Sequence, residues 1–249
     1  MRESKQSRDA RSLREMFEMI GERFLDLPFT QGTTQEVEFL VDMLELNPNH
    51  RILDVACGPG RHTIGLGKLG MNVTGVDLSD RLLALAKQTA ELEEVTTVQF
   101  VKGDAREIPY NEEFDAAICL CQGAFGLLES DIENERVLNA IHRALKPGGK
   151  MALTCLSLYN LLKKGGDLSE FDPQTNMYER EELIQVEEGG EQLFRFHERY
   201  YDFPGIKLLL ERIGFRHILG FGCRAGEYSR RAITLDDVEI LVYAEKPGR

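Results

Sequence analysis

The chain opens on a helical rhythm. Leu13, Met16, Phe17, Ile20, Phe24 and Leu27 recur at the spacing of one helix face, which predicts an amphipathic helix ending near Pro28. Val37, Leu40, Val41 and Leu44 predict a second helix, broken at Asn47-Pro48-Asn49. From Ile52 the period shortens. Strand-like runs at Ile52–Ala56, Val73–Val76, Val98–Val101, Phe114–Leu120 and Lys150–Cys155 alternate with helical stretches. The first helical stretch runs from Arg61 to Leu69-Gly70. The second carries Leu82, Leu83, Leu85 and Ala86 behind a cap at Ser79 or Asp80. The third carries Val137, Leu138, Ile141 and Leu145 behind Asp131, and Lys146-Pro147-Gly148-Gly149 reads as a turn. Such alternation implies parallel βαβ units in a doubly wound α/β sheet. The runs are nearly continuous in apolar residues, as strands buried on both faces are.

After Cys155 the pattern changes. Residues 159–203 are polar, and the segments Asn176–Val186 and Gln192–Tyr201 flank Glu187-Glu188-Gly189-Gly190. This predicts an inserted β-hairpin turning at the paired glycines. A helix stripe at Ile206, Leu209, Leu210 and Ile213 follows, with Gly214 where a C-cap glycine belongs. Two last strands are expected at His217–Phe221 and Val238–Ala244. The expected organisation is a single domain: 1–46 an N-terminal helical cap, 47–155 a cofactor-binding core, 156–203 an inserted antiparallel region for substrate or dimer contact, and 204–249 the rest of the core.

Composition narrows the class. Of 249 residues, 42% are hydrophobic, enough for a sizeable core. The formal net charge of −12 repels polyanions, and the longest basic cluster is Lys163-Lys164, so no nucleic-acid partner is expected. The five cysteines, 57, 119, 121, 155 and 223, lack zinc-knuckle spacing and read as reduced, mostly buried thiols. No metal is expected. Met1 to Arg14 is charged throughout, and no apolar run is long enough to span a bilayer. The expectation is a soluble cytoplasmic protein.

Three signals sit at successive strand ends. In Asp54-x-Ala56-x-Gly58-x-Gly60 the glycines suit close approach of backbone to a ligand and a tight turn into a helix. A dinucleotide fingerprint would also want glycine at 63, where Thr63 stands. Asp77 can accept both hydroxyls of a ribose, or simply cap a helix. Gly103-Asp104-Ala105 can meet an adenine edge, or be an exposed turn.

These segments, with Ile52-Leu53-Asp54-Val55-Ala56-Cys57-Gly58-Pro59-Gly60-Arg61-His62, Val73-Thr74-Gly75-Val76-Asp77-Leu78-Ser79, Phe114-Asp115 and Leu145-Lys146-Pro147-Gly148-Gly149, make the chain resemble the class I S-adenosylmethionine-dependent methyltransferases. The resemblance runs from about Thr34 onward and is loose in the insertion. It implies a Rossmann-like seven-stranded sheet, mostly parallel with the last strand antiparallel. It implies S-adenosyl-L-methionine as cofactor, with Asp54, Ala56, Gly58 and Gly60 around its methionine part. Asp77 would hold the ribose, Leu78 would lie against the adenine, and Asp104 and Ala105 would meet its edge. Leu120 and Gln122 would line the site near the sulfonium. Ala56 is a departure, since many relatives have glycine there.

The acceptor is less defined. The Asp/Asn-Pro-Pro-Tyr tetrad of many amino-group methyltransferases is replaced by Cys119-Leu120-Cys121-Gln122-Gly123, and no proline adjoins a nucleophilic cysteine. A small metabolite accepting at oxygen or nitrogen is what remains. The alternatives are a protein or tRNA methyltransferase, an aminopropyl-transferring relative, and a non-catalytic cofactor-binding protein. Strand alternation puts Arg195, His197, Arg199 and Tyr201 on one face. His197 is a candidate base and Tyr200 or Tyr201 a candidate orienting group. Arg199, Tyr201, Tyr159 and Asn160 are candidate substrate contacts. A solvated strand face with two charge pairs, and a simple turn at Tyr159, explain the same residues. Phe17, Phe24 and Phe29 can form an apolar lid or belong to the core. The insertion can also carry a homodimer contact.

Overall fold

A computed structural model describes residues 11–27, 30–121, 123–165 and 168–248. A short strand β1 (Arg11–Ser12) leads into helix α1 (Leu13–Ile20), where Ser12 and Glu15 form a reciprocal capping box. The expected long N-terminal helix breaks here. Gly21 has φ +52°, so the chain continues as a 3-10 helix over Gly21–Asp26. The sidedness of the apolar stripe survives that break, and Pro28 and Phe29 lie outside the described residues. Helix α2 (Thr33–Leu44) follows.

The alternating core comes next: β2 (Arg51–Val55), α3 (Arg61–Lys68), β3 (Asn72–Asp77), α4 (Asp80–Leu92), β4 (Val98–Lys102), β5 (Phe114–Cys119), α5 (Asp131–Ala144) and β6 (Leu145–Ser157). Ser79 caps α4 and Ser130 caps α5 through their hydroxyls. The expected turn at 146–149 is instead absorbed into a longer β6, with Gly148 at φ +81° and a register shift against β5. A short helix α6 (Leu158–Lys164) and strand β7 (Phe171–Asp172) precede the hairpin of β8 (Met177–Gln185) and β9 (Glu191–Tyr201). Helix α7 (Phe203–Ile213), ended by Gly214 at φ +120°, leads to β10 (Arg216–Cys223) and β11 (Glu239–Glu245).

The main sheet has the order β4-β3-β2-β5-β6-β11-β10. Neighbours from β4 to β6 are parallel, and β11 runs antiparallel between β6 and β10. This is the seven-stranded sheet with an antiparallel last strand that the resemblance implied. Side-chain alternation sends Leu53, Val55, Leu153, Ile240 and Val242 to a core shared with α5 and α7. Ile52, Ala152 and Leu241 go to a second core with Leu40 and Leu44 of α2 and Leu66 of α3. Each fully buried Leu or Ile contributes about 1.5–3 kcal/mol of apolar transfer.

The hairpin is anchored where β5 has already ended. Leu156 and Ser157 of β6 pair in parallel with Tyr200 and Tyr201 of β9. Farther out, β1 adds to β9 in parallel at Phe194 and Arg195. Met16 of α1 packs with Phe194, Phe196 and Val186, and Ile20 and Phe24 reach Leu82 of α4. The N-terminal segment and the hairpin therefore form one cap over the carboxyl ends of the parallel strands.

Candidate functional site

Under that cap lies a cavity of about 640 Å³, within the usual range of small-molecule sites. Its floor is made by the turns after β2, β3, β4 and β5, the position where open α/β sheets bind ligands. The turn after β2 starts at Ala56, whose φ of +58° is left-handed. A residue with a Cβ costs roughly 1–2 kcal/mol in that conformation. Gly123 makes the fold possible there, because a Cβ on it would come within 2.8 Å of the Ala56 Cβ and carbonyl oxygen. Gly58, at φ +53°, leaves the floor open; its nearest neighbour would be Phe24 at 3.6 Å. Gly60 lies below, where a side chain would strike Phe100 at 2.7 Å, so its role is the close packing of α3 on the sheet.

Two carboxylates, one on the buried Asp54 and one on the half-buried Asp77, face this floor. Asp54 accepts the Thr63 hydroxyl at 2.6 Å, and burial pushes its pKa up. Asp77, at the tip of β3, accepts the Gly58 N–H at 2.8 Å and the Ser79 N–H at 2.9 Å, one on each oxygen. Burial raises its pKa too, against those two bonds. A carboxylate oxygen takes more than one donor, so both retain acceptor capacity toward the cavity they line. Leu78, Leu82, Ala105 and Leu120 supply apolar wall. Asp104 also lines the cavity, but its carboxylate is engaged by the Arg106 backbone and guanidinium at 2.9 Å, which hold its pKa below the ordinary range.

The far wall is polar. Arg61, at the start of α3, donates to Thr33 at 3.1 Å, to the buried Glu36 carboxylate and to the Cys121 sulfur at 2.7 Å. Burial pushes the Cys121 thiol up to about 12. Glu36, His62 and Cys121 bring metal-ligand-type atoms within 4.8 Å of one another, and the Arg61 guanidinium lies against two of the three. The roof comes from β9, where Arg195 and His197 point inward. Arg195 is paired with Glu181 at 2.8 Å. The His197 imidazole makes no side-chain hydrogen bond among the described residues. Phe17 and Phe24, 6.0 Å apart, close the side toward α1.

Of the residues singled out in the sequence, the cavity gathers Asp54, Ala56, Gly58, Asp77, Leu78, Asp104, Ala105, Leu120 and His197. Gln122 lies outside the described residues. Gly60, Tyr159, Asn160, Arg199, Tyr200 and Tyr201 are not in its lining. The Tyr159 hydroxyl accepts the Phe203 N–H at 3.1 Å, and the Asn160 amide donates to the Leu235 carbonyl at 3.4 Å. Tyr200 donates to Glu198 at 3.0 Å, and burial together with that carboxylate raises its pKa. Arg199 pairs with Asp131 at 2.7 Å, and Tyr201 stacks on Phe125 with ring centres 4.9 Å apart. Arg61 and Cys121 were not singled out as site residues, and Arg195 was placed on the His197 face without a role. Arg61 carried one readable signal. An arginine in the first turn of a helix opposes the macrodipole, so it calls for a carboxylate partner, here Glu36.

Comparison with known proteins agrees with this geometry. Residues 52–149 match a family model described as a methyltransferase domain. The chain is 34% identical over 112 residues to the demethylmenaquinone methyltransferase of Bacillus mycoides (strain KBAB4), covering 44% of this chain and 46% of that protein. It is 30% identical over 168 residues to the glycine N-methyltransferase of Rattus norvegicus, covering 63% and 56%. The matches span about half the length of these curated relatives. Among solved structures, the CcbJ methyltransferase from Streptomyces caelestis superposes with a TM-score of 0.76 at 18% identity, covering 94% of this chain and 98% of that one. At that identity the likeness speaks for the fold.

Proposed function

We propose that this chain, whose residues 52–149 match a family model described as a methyltransferase domain, is a class I S-adenosylmethionine-dependent methyltransferase that methylates an oxygen or nitrogen atom of a small metabolite by in-line displacement. The observation that carries this reading is the capped cavity of about 640 Å³ with Asp77 and the Ala56–Gly60 turn on its floor.

The donor set fits the cofactor from end to end. Asp77 offers carboxylate acceptors for two ribose hydroxyls, and Leu78 and Ala105 offer apolar surface for a flat base. Gly58 gives room for close approach, and Arg61 puts a guanidinium at the end where an amino-acid carboxylate would lie. When bound, S-adenosylmethionine supplies an electrophilic methyl group whose departure leaves a neutral thioether.

The protein's task is therefore alignment and exclusion of water. Phe17, Phe24 and the β9 roof exclude solvent. Leu120 and Gly123 bound the reacting side of the floor. His197, lining the roof with its imidazole uncommitted, takes the proton when the acceptor is a hydroxyl or ammonium group. The capped volume and the net charge of −12 support a small acceptor over a polyanion.

The test is methyl transfer from labelled S-adenosylmethionine into fractionated small-molecule extracts. Label entering a low-mass product, and lost with Asp77→Ala, is the expected result. Label entering only protein or RNA would refute the acceptor class.

A further inference from the structure

Glu36 lies on α2, outside the matched domain, and is fully buried. A carboxylate survives in that state only when it is paired and hydrogen-bonded. Its partners come from two distant parts of the chain. One oxygen takes the Arg61 guanidinium and the His62 ring nitrogen, the latter at 2.8 Å. The other takes the Gly226 N–H at 2.7 Å. Burial works to raise its pKa, but the His62 hydrogen bond, the charges of His62 and Arg61 and the Gly226 bond together hold it below the ordinary range.

The neighbouring residue reinforces the arrangement. The Gln35 amide donates to the Tyr228 carbonyl at 2.7 Å and accepts its N–H at 2.9 Å. The loop between β10 and β11 is thereby docked on α2 directly behind Arg61. Gly32 lets the two segments meet, since a Cβ on it would come within 2.4 Å of Gly226 Cα.

We propose that Glu36 is a positioning residue for cofactor binding: it fixes the Arg61 guanidinium against the cavity wall so that its remaining N–H groups meet the carboxylate of the cofactor's amino-acid end. The inference rests on the cavity being the S-adenosylmethionine site. Arginine has five N–H donors on a long, rotatable side chain. Glu36 and Thr33 take both N–H groups of one terminal nitrogen, and Cys121 takes one from the other. This leaves the Nε–H and one terminal N–H for a ligand. Without the Glu36 charge, the guanidinium loses its fixed direction and the carboxylate loses a pre-aimed partner.

The discriminating pair of ligands is S-adenosylhomocysteine and 5′-methylthioadenosine, which share the nucleoside and thioether but differ in the amino-acid end. Both are titrated calorimetrically into the full chain, wild type and E36Q. E36Q is expected to lower affinity for S-adenosylhomocysteine by about tenfold or more, the scale of a charge-assisted hydrogen bond, and to leave 5′-methylthioadenosine within about twofold. Thr33→Val loosens the same guanidinium without disturbing a buried charge. It should show the same selectivity with a smaller loss, and it keeps the test open should E36Q not fold.

Equal losses for both ligands would mean that Glu36 serves folding alone and would overturn the proposal, as would an unchanged E36Q. Wild-type protein that bound neither ligand would overturn the cofactor reading itself.

Discussion

Asp77 carries more of the account than any other side chain. It ties Gly58 to the end of β3 and leaves acceptor capacity toward the cavity. Asp77→Ala is expected to weaken S-adenosylhomocysteine binding by on the order of 3–6 kcal/mol, the sum of two hydroxyl-to-carboxylate bonds; titration calorimetry reads this. The pH dependence has a definite sign. The ionised form accepts the hydroxyls, and burial has raised the pKa above the ordinary 3.8. Affinity should therefore begin to fall on acidification at a higher pH than an exposed aspartate would give, and Asp77→Asn should remove that dependence. His197→Ala should lower turnover by about 10²–10⁴-fold, the range for a positioned base, with cofactor affinity nearly unchanged. Equal turnover on the true acceptor would return His197 to a spectator on the strand face.

At the scale of elements, the two parts of the cap are joined to each other and to α4 at Glu187. Glu187, in the turn of the hairpin, accepts the Glu22 N–H at 3.3 Å and pairs with Arg81 of α4, and its own N–H donates to the Met19 carbonyl at 3.0 Å. Gly21 is the seam. A Cβ there would sit 1.5 Å from a Glu187 oxygen, in a backbone conformation that already favours glycine. Gly21→Ala should lower stability by about 1–3 kcal/mol and speed dissociation of a bound nucleoside, as stopped-flow fluorescence would show. Unchanged dissociation would mean that the cap does not close the site.

The hairpin was legible in the sequence, because two alternating runs flank Gly189-Gly190, but of the face expected to carry Arg195, His197, Arg199 and Tyr201 only Arg195 and His197 line the cavity. The β1–β9 pairing was not legible. Two residues carry no periodicity, and their partners Phe194 and Arg195 lie more than 180 positions away. Tyr159 and Asn160 follow a sheet strand, as substrate-binding residues often do, yet α6 turns them into the packing beneath Phe203 and Leu235. The strand-tip residues Asp54, Asp77 and Asp104 were readable because the parallel sheet brings successive tips to one edge. Arg61 was hidden in plain view, since its importance depends on Glu36, which lies in a different helix.

For the whole molecule, cap and core share one cavity, so a ligand inside it should stabilise both together. S-adenosylhomocysteine at about 100 times its Kd should add ~2.7 kcal/mol, or about 5–10 °C in Tm for a chain of this size, provided that it binds only the folded state. None of the described helices is long and apolar enough to cross a membrane.

The central claim is that the cavity is built for S-adenosylmethionine and not for a dinucleotide, and one titration tests it most directly. S-adenosylmethionine, S-adenosylhomocysteine and NAD are each titrated calorimetrically into the purified chain. Binding of the two sulfur compounds in the micromolar range, with no heat from NAD, is the predicted result. Binding of NAD with neither sulfur compound bound would contradict the account from the glycine turn onward.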